Sequence, residues 1–191
     1  MKHITQGGLS AHLARRLFHI CMIFTPFIYY YFLINFATPK ILHLIILAFI
    51  FFIFLLEKLR LRMRLVLFGQ RLHEARHISA FAWTMLSLGV VFILSPSAPF
   101  SIAIVATCAL VDPLLGEMRS FHVNQILTVI CGIILALIIW MTCAWVYHFP
   151  MWIGLVIAPI SVAAEWPSLK WIDDNALMMM VPLIVLILLN L

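Results

Sequence analysis

The chain has 191 residues, of which 65% are hydrophobic and 10% are charged, with a net charge of +5 and a mean hydropathy of +1.16. Soluble domains are only roughly 45–50% apolar, so this composition excludes a soluble globular protein. It predicts an all-α, polytopic membrane helix bundle formed as a single domain over residues 1–191. The positive charge does not indicate a nucleic-acid partner, because basic loops beside apolar spans ordinarily set membrane orientation.

Seven apolar runs approach the roughly 17–25 residues that a transmembrane helix needs. Turns that contain proline or polar residues separate them. The first run follows two arginines and is longer than the apolar core of a signal peptide, so we expect it to remain as an anchor. The four cysteines lie inside the runs and indicate neither a disulfide nor a zinc site. The predicted spans are Leu17–Phe36, Ile41–Leu56, Ile78–Ser95, Ala98–Gly116, Val123–His148, Met151–Trp166 and Asn175–Leu191.

The segment 57–77 between the second and third runs fixes the predicted orientation. It holds six of the twelve Lys/Arg residues, and such basic segments stay in the cytoplasm. With a cytoplasmic N-terminus, eleven of the twelve basic residues lie inside and only Lys40 lies outside. All seven carboxylates then fall on, or about one turn from, the same cytoplasmic face, although the orientation rule makes no demand on acids. This placement predicts a water-facing chemistry on one side of the membrane.

One short group of polar residues lies at the start of the first run, and another lies at the end of the second. Arg16 and His19 are three residues apart, so they share a helical face at the start of the first run. Glu57 and Arg60 have the same spacing at the end of the second run. The arginines are candidates for phosphate binding, because the planar guanidinium matches phosphate oxygens. The alternative interpretation is that they are orientation anchors and interfacial side chains.

A further group of polar residues precedes the third run, and another lies at the end of the fourth. Glu74 and Arg76 form either part of a polar site or an ion-paired first helical turn. Asp112 follows fourteen mostly apolar residues, and an intramembrane carboxylate is a functional candidate by default. Gly116 allows a close approach to this helix. Arg119 lies seven residues after Asp112, on the same helical face. Arg76 and Arg119 are further candidates for phosphate binding, beside Arg16 and Arg60.

The last polar group joins the sixth and seventh runs. It comprises Glu165 and the sequence Asp173-Asp174-Asn175. Carboxylate oxygens suit Mg²⁺ held together with substrate phosphates, so Asp112, Glu165, Asp173 and Asp174 are the candidate metal ligands. The alternative is a helix N-cap before the last run. No glycine-rich phosphate loop occurs in the sequence, so arginines and a metal would have to hold any nucleotide.

The order of these motifs resembles the dolichol kinase and phytol kinase family, and is similar to CTP-dependent diacylglycerol kinases and, more distantly, phosphatidate cytidylyltransferases. The resemblance covers nearly the whole chain. The motifs that carry it are R-R-x-x-H ending at His19, E-x-x-R-L from Glu57, E-x-x-x-x-S from Glu74, the acid Asp112, the late Glu165 and D-D-N-x-x-x-x-x-x-P from Asp173.

The resemblance implies an enzyme of the bacterial inner membrane or endoplasmic reticulum that uses CTP and Mg²⁺ to phosphorylate a membrane lipid alcohol. It places Asp112, Glu74 and His19 among the catalytic residues, with Glu57 and Asn175 as further polar positions of the site. Val111 replaces the glycine before the acid, and the family's Lys-Ser/Thr-x-x-Gly loop is missing. A cytidylyltransferase, a lipid-translocating protein and a non-catalytic relative therefore stay open as alternatives, as does assembly into a homo-oligomer.

Overall fold

The computed structural model describes residues 7–70, 72–167, 169 and 171–190. The predicted all-α membrane helix bundle is confirmed, since the described residues form helices and connecting loops without a strand. Leu191, the predicted end of the last run, lies outside the described residues. The seven helices of the described chain are α1 (Gly8–Asn35), α2 (Pro39–Met63), α3 (Ala80–Leu94), α4 (Ala98–Ser120), α5 (Gln125–Tyr147), α6 (Met151–Ala163) and α7 (Asp174–Leu188).

Helix α4 forms the centre of the bundle. It packs against α1, α5, α6 and α7, and 67% of its most apolar stretch is buried. Its residues from Phe100 to Ala109 are all buried, on every face of the helix. A helix that is apolar all round belongs in the interior of a bundle, because it has no polar face to present elsewhere. The central position of α4 therefore follows from its sequence.

Four helices are long and three are short. Helices α1, α2, α4 and α5 have 23–28 residues and are long and apolar enough to cross a membrane. Helices α3, α6 and α7 have 15, 13 and 15 residues, or about 20–22 Å at about 1.5 Å per residue. This is less than the roughly 30 Å hydrocarbon thickness of a bilayer. The lengths of the short helices thus differ from the full spans that the sequence predicts.

Each of the three short helices begins or ends beside polar residues of the predicted site. Helix α3 begins directly after Ser79, α6 ends two residues before Glu165, and α7 begins at Asp174. Asp112 lies eight residues before the end of α4, which corresponds to about 12 Å of helix. Asp112 therefore lies below the end of α4, and we call the region around it the recess.

The first helix is irregular in its second half. It has α-helical geometry to Cys21, followed by short 3-10 and α-helical turns and a π-helical turn at Ile28–Phe32. Pro26 lacks the backbone N–H that a regular helix needs, so a change of hydrogen-bond pattern is expected near it. Within the π-helical turn, Tyr29 is buried and stacks on Phe92 of α3, with ring centroids 4.8 Å apart. The irregular stretch is thus fixed to α3.

A loop connects α2 to α3. Helix α2 ends at Arg64, which adopts a left-handed conformation with φ 53°, and a short 3-10 turn follows at Leu72–Ala75. Glu74 belongs to this loop and not to the first turn of α3, where one sequence interpretation placed it. Ser79 caps α3 by accepting a hydrogen bond from the backbone N–H of Ala82 at 3.2 Å. Such a cap stabilises a helix start by about 1 kcal/mol.

Candidate functional site

Three carboxylates meet at the recess. One oxygen from each of Asp112, Glu165 and Asp174 lies within 4.8 Å of the others; we call these three residues the acidic cluster. They come from α4, from the turn after α6 and from the first residue of α7. The sequence also predicts Asp173 as a ligand, but its carboxylate lies outside this group and accepts a hydrogen bond from Asn175 Nδ2 at 2.8 Å.

The start of α7 is held by its own polar residues and by α4. Asn175 is buried, and its backbone N–H donates to Asp174 Oδ1 at 3.2 Å. The Sγ atom of Cys108 on α4 lies 3.7 Å from the Asn175 carbonyl oxygen. Carboxylates at a helix N-terminus are favoured by the helix dipole. Asn175 thus orients both neighbouring aspartates, and one of them reaches the acidic cluster.

Glu165 is the most buried member of the cluster, with 3% of its surface exposed. Arg119 Nη2 donates to its Oε1 atom, whereas Oε2 is buried without a hydrogen-bond partner among the described residues. Burial raises the pKa of the Glu165 carboxyl to about 7; Arg119 opposes this rise, while Asp112 and Asp174 add to it. A buried carboxylate oxygen without a donor is costly, so this atom is poised for a cation or another ligand.

The donor set fits a hard divalent cation. All three groups offer oxygen, and such cations lie about 2.0–2.6 Å from oxygen ligands. An ion with the longer distances of this range can therefore bridge oxygens that are up to 4.8 Å apart, whereas Mg²⁺, which lies about 2.0–2.1 Å from its ligands, would draw them slightly closer together. The unpartnered Glu165 Oε2 can act as one of these oxygen ligands. Of the divalent cations, Mg²⁺ is the one that proteins usually hold together with substrate phosphates.

His19 of α1 lies beside the acidic cluster. Its Nε2 atom is 3.7 Å from Asp112 Oδ2, and only 4% of its surface is exposed. Its Nδ1 atom is buried and has no hydrogen-bond partner in the described part of the chain. The Nε2 edge of the imidazole therefore points to Asp112, and the Nδ1 atom can accept or donate a proton.

Two arginines lie at the rim of the cluster. Arg16 Nη1 donates to the Pro113 carbonyl at 2.9 Å, and Arg16 Nε pairs with Glu117 at 3.1 Å. A Cβ atom on Gly116 would lie 2.7 Å from Arg16 Nη2, so the glycine provides the space for the guanidinium. Arg119 keeps 49% of its side chain exposed. Both can reach a ligand that approaches the cluster from the water side.

A second polar group lies between α2 and the loop before α3; we call Arg15, Glu57, Arg60, Glu74 and Ser79 the α2-loop network. Arg60 makes two hydrogen bonds to the Glu57 carboxylate, at 2.8 and 3.0 Å. It makes two more to the carbonyl oxygens of Leu65 and His77, each at 2.7 Å. The guanidinium is therefore engaged within the chain, and its phosphate-binding role stays a prediction.

Glu74 completes this network. Its Oε2 atom accepts from the backbone N–H of Ala80 at 3.2 Å, and its Oε1 atom lies 3.7 Å from Arg15 Nη1. Arg76 is exposed, and its phosphate-binding role stays a prediction. Sequence reasoning missed the contact between Arg15 and Glu74, because nothing in the sequence pairs residues 59 positions apart. It also missed the 3.1 Å contact between His12 and Glu117.

Compared with known proteins, the chain matches no family model, no curated protein and no solved structure. The geometry of the acidic cluster and its surroundings is therefore the basis for a functional assignment.

Proposed function

We propose that this chain is a multi-pass integral membrane enzyme that transfers a phosphoryl group from a Mg²⁺-bound nucleotide to a membrane lipid alcohol. CTP is the proposed donor, as the resemblance to dolichol and phytol kinases implies. The observation that carries the proposal is the acidic cluster, in which three carboxylates from three separate elements converge and one buried oxygen has no partner among the described residues.

The orientation proposed is a cytoplasmic N-terminus, seven membrane helices and a site that opens to the cytoplasm. The distribution of basic residues supports it, with eleven of the twelve on that side. The helix ends support it as well, because the short helices begin or end beside the polar residues and Asp112 lies eight residues before the end of α4. In the proposed arrangement, a nucleotide from the cytoplasm and a lipid from the bilayer would meet at the acidic cluster.

The surrounding residues suit phosphoryl transfer, which depends mainly on positioning and charge neutralisation. Bound Mg²⁺ would neutralise phosphate oxygens, and Asp112, Glu165 and Asp174 would hold it. Arg16 and Arg119 at the rim would bind the remaining phosphate oxygens. His19 lies 3.7 Å from Asp112 and would accept the proton of a lipid hydroxyl bound beside it.

The test is phosphorylation of membrane lipid alcohols by the purified protein in lipid nanodiscs, with radiolabelled CTP and Mg²⁺. Asp112→Asn should lower the rate by at least about a hundredfold, because it removes both a metal ligand and the partner of His19. Glu117→Gln is the matched control, since it removes one carboxylate from the same helix outside the acidic cluster. We expect this variant to retain most of the activity.

Equal turnover by Asp112→Asn and the unchanged protein would contradict the proposal. The products identify the reaction class. Release of CDP supports the kinase, whereas release of pyrophosphate from CTP and a lipid phosphate would show a cytidylyltransferase instead. Movement of lipid across the bilayer without nucleotide consumption would show a lipid translocator.

A further inference from the structure

One exposed face of α2 changes from apolar to basic along the helix. Phe51, Leu55, Lys58 and Arg62 follow one another at spacings of four, three and four residues, so they lie on one side of the helix. All four are exposed, and we call them the α2 stripe. Its two apolar residues precede its two cations, and Arg64 directly after the helix adds a third exposed cation.

The cations at this end of α2 have no acidic partner. Among the described residues, no carboxylate forms an ion pair with Lys58, Arg62 or Arg64. The arginines near the two groups of acids each have such a partner, and these are Arg15, Arg16, Arg60 and Arg119. The three exposed cations can therefore bind an external anion without breaking an ion pair within the chain.

The loop after α2 places apolar side chains beside these cations. Leu65, Leu67 and Phe68 are exposed, Phe68 to 63%. The backbone of the loop is nevertheless held in place, since Arg60 donates to the Leu65 carbonyl at 2.7 Å and the Leu67 N–H donates to Gln70 Oε1 at 2.8 Å. A fixed loop that exposes apolar and basic side chains together suits the headgroup layer of a membrane, where both kinds find partners.

Helix α2 lies at the edge of the bundle. Only 11% of its most apolar stretch is buried, so its exposed apolar side chains face lipid in a bilayer. From Leu55 to Arg62 the helix rises about 10 Å, and the headgroup layer on each side of a bilayer is roughly 5–8 Å thick. A phospholipid whose acyl chain contacts Leu55 therefore has its phosphate level with Lys58 and Arg62.

The charge at the end of α2 selects the kind of headgroup. A phosphatidylcholine headgroup carries an ammonium group next to its phosphate, and three neighbouring cations repel it. A headgroup with a net negative charge avoids this repulsion, and each basic side chain near it strengthens binding several-fold. The site thus favours anionic over zwitterionic phospholipids.

We propose that the α2 stripe and Arg64 bind an anionic phospholipid at the edge of the bundle. Its phosphate contacts Lys58, Arg62 and Arg64, and one of its acyl chains lies along Phe51 and Leu55. This lipid is bound and not consumed. The inference goes beyond the proposed function and does not depend on it, since it involves neither the acidic cluster nor a nucleotide.

The binding test uses native mass spectrometry of the purified protein with two lipids that have the same acyl chains. Dioleoylphosphatidylglycerol is anionic, and dioleoylphosphatidylcholine is zwitterionic. We expect the unchanged protein to bind the anionic lipid at least about tenfold more tightly. Equal affinities for the two lipids would overturn the inference.

Inorganic phosphate tests whether the ligand is a lipid or a free phosphate. Phosphate makes no contact with the apolar half of the α2 stripe, so an equal concentration of it should leave the bound phosphatidylglycerol in place. Displacement of the lipid by phosphate would overturn the assignment to a phospholipid.

Two matched variants locate the site. Arg62→Gln and Lys40→Gln each remove one exposed positive charge from α2, at opposite ends of the helix. Arg62→Gln should lower the preference for the anionic lipid about fivefold, and Lys40→Gln should leave it unchanged. Arg62→Lys keeps the charge and should keep most of the preference. The same preference in Arg62→Gln and Lys40→Gln would contradict the proposed site.

A further measurement needs no variant and so does not depend on how a variant folds. Salt screens exposed charges, so raising the ammonium acetate concentration from about 0.05 to about 0.5 M should lower the preference of the unchanged protein several-fold. A preference that is independent of salt would overturn the inference. Asp112→Asn, which tests the proposed function, should keep the full lipid preference, so the two proposals can fail separately.

Discussion

The acidic cluster and the α2-loop network use the same kinds of residue in opposite ways. In the α2-loop network, the Glu57 carboxylate receives two hydrogen bonds from Arg60 and one from the Ser79 backbone N–H. In the acidic cluster, three carboxylates share the single direct arginine contact that Arg119 makes to Glu165, within the part of the chain described. The charges of the α2-loop network therefore neutralise one another, whereas the negative charges of the acidic cluster are not neutralised in this way.

This difference indicates a structural role for the α2-loop network and a ligand-binding role for the acidic cluster. A buried ion pair whose donors and acceptors are all engaged holds the fold and has little capacity left for a ligand. A group of converging carboxylates with an unpartnered buried oxygen is unfavourable for the fold and favourable for a cation. The α2-loop network therefore fixes the loop before α3, and the acidic cluster is the place where chemistry is expected.

The largest effect expected concerns the stability of the α2-loop network. Arg60→Ala leaves Glu57 as a buried charge without its ion-pair partner, and such changes cost about 3–5 kcal/mol of folding free energy. Both side chains are 8% exposed or less, so water cannot replace the guanidinium. We expect a large drop in the thermal unfolding midpoint of the detergent-solubilised protein.

Arg62→Ala is the control for this measurement, because Arg62 lies two residues away on the same helix and is exposed. It should leave the unfolding midpoint nearly unchanged. Equal midpoints for the two variants would mean that the Glu57–Arg60 pair does not stabilise the fold, and the distinction between the two groups of acids would be lost.

The next prediction concerns the acidic cluster, where removal of a charge should raise the unfolding midpoint instead of lowering it. Without a divalent cation, Asp174→Asn should raise the unfolding midpoint, since it relieves repulsion among the three carboxylates. In the unchanged protein, Mg²⁺ at about a hundred times its dissociation constant should add about 2.7 kcal/mol of stability. Asp174→Asn should lose most of this gain. The measurement is thermal unfolding with Mg²⁺ and, as the cation-free arm, with a chelator.

Asp173→Asn is the matched comparison for this pair of measurements. It makes the same chemical change one residue earlier, at a carboxylate that lies outside the cluster and accepts from Asn175. An asparagine oxygen can still accept that hydrogen bond. We expect Mg²⁺ to stabilise Asp173→Asn as it does the unchanged protein. If both variants lost the stabilisation equally, the cation would bind nearer the start of α7 and not within the acidic cluster.

The helices could be predicted well from the sequence, and the roles of the polar residues only in part. Hydropathy is a local property, so the seven apolar runs predict seven helices with boundaries that differ by a few residues at most ends. The convergence of Asp112, Glu165 and Asp174 could be expected as well, because counting spans places their helix ends on one face. The engagement of Glu57 by Arg60 and Ser79 instead could not be expected, since it depends on how the helices rotate and pack.

Arg16 and Arg60 illustrate the limit of sequence reasoning. Both lie three residues from a polar partner at the end of an apolar run, and the sequence predicts the same phosphate-binding role for both. Arg60 makes four hydrogen bonds within the α2-loop network. Arg16 contacts one carbonyl oxygen and Glu117, whose side chain is 40% exposed. Only the packing of α1 on α4 distinguishes them.

The smallest effect expected tests whether Arg16 of α1 binds phosphate from its position against α4. In Gly116→Ala, the new Cβ would lie 2.7 Å from Arg16 Nη2 and displace the flexible guanidinium from the Pro113 carbonyl without disturbing the backbone. Nucleotide affinity, measured by isothermal titration calorimetry with Mg²⁺ and CTP, should fall about fivefold, the equivalent of one hydrogen bond. The unfolding midpoint should stay close to that of the unchanged protein. Because the effect passes through one side chain, Gly116→Ala should have no further effect in an Arg16→Ala background; additive losses would show that Gly116 acts through another contact.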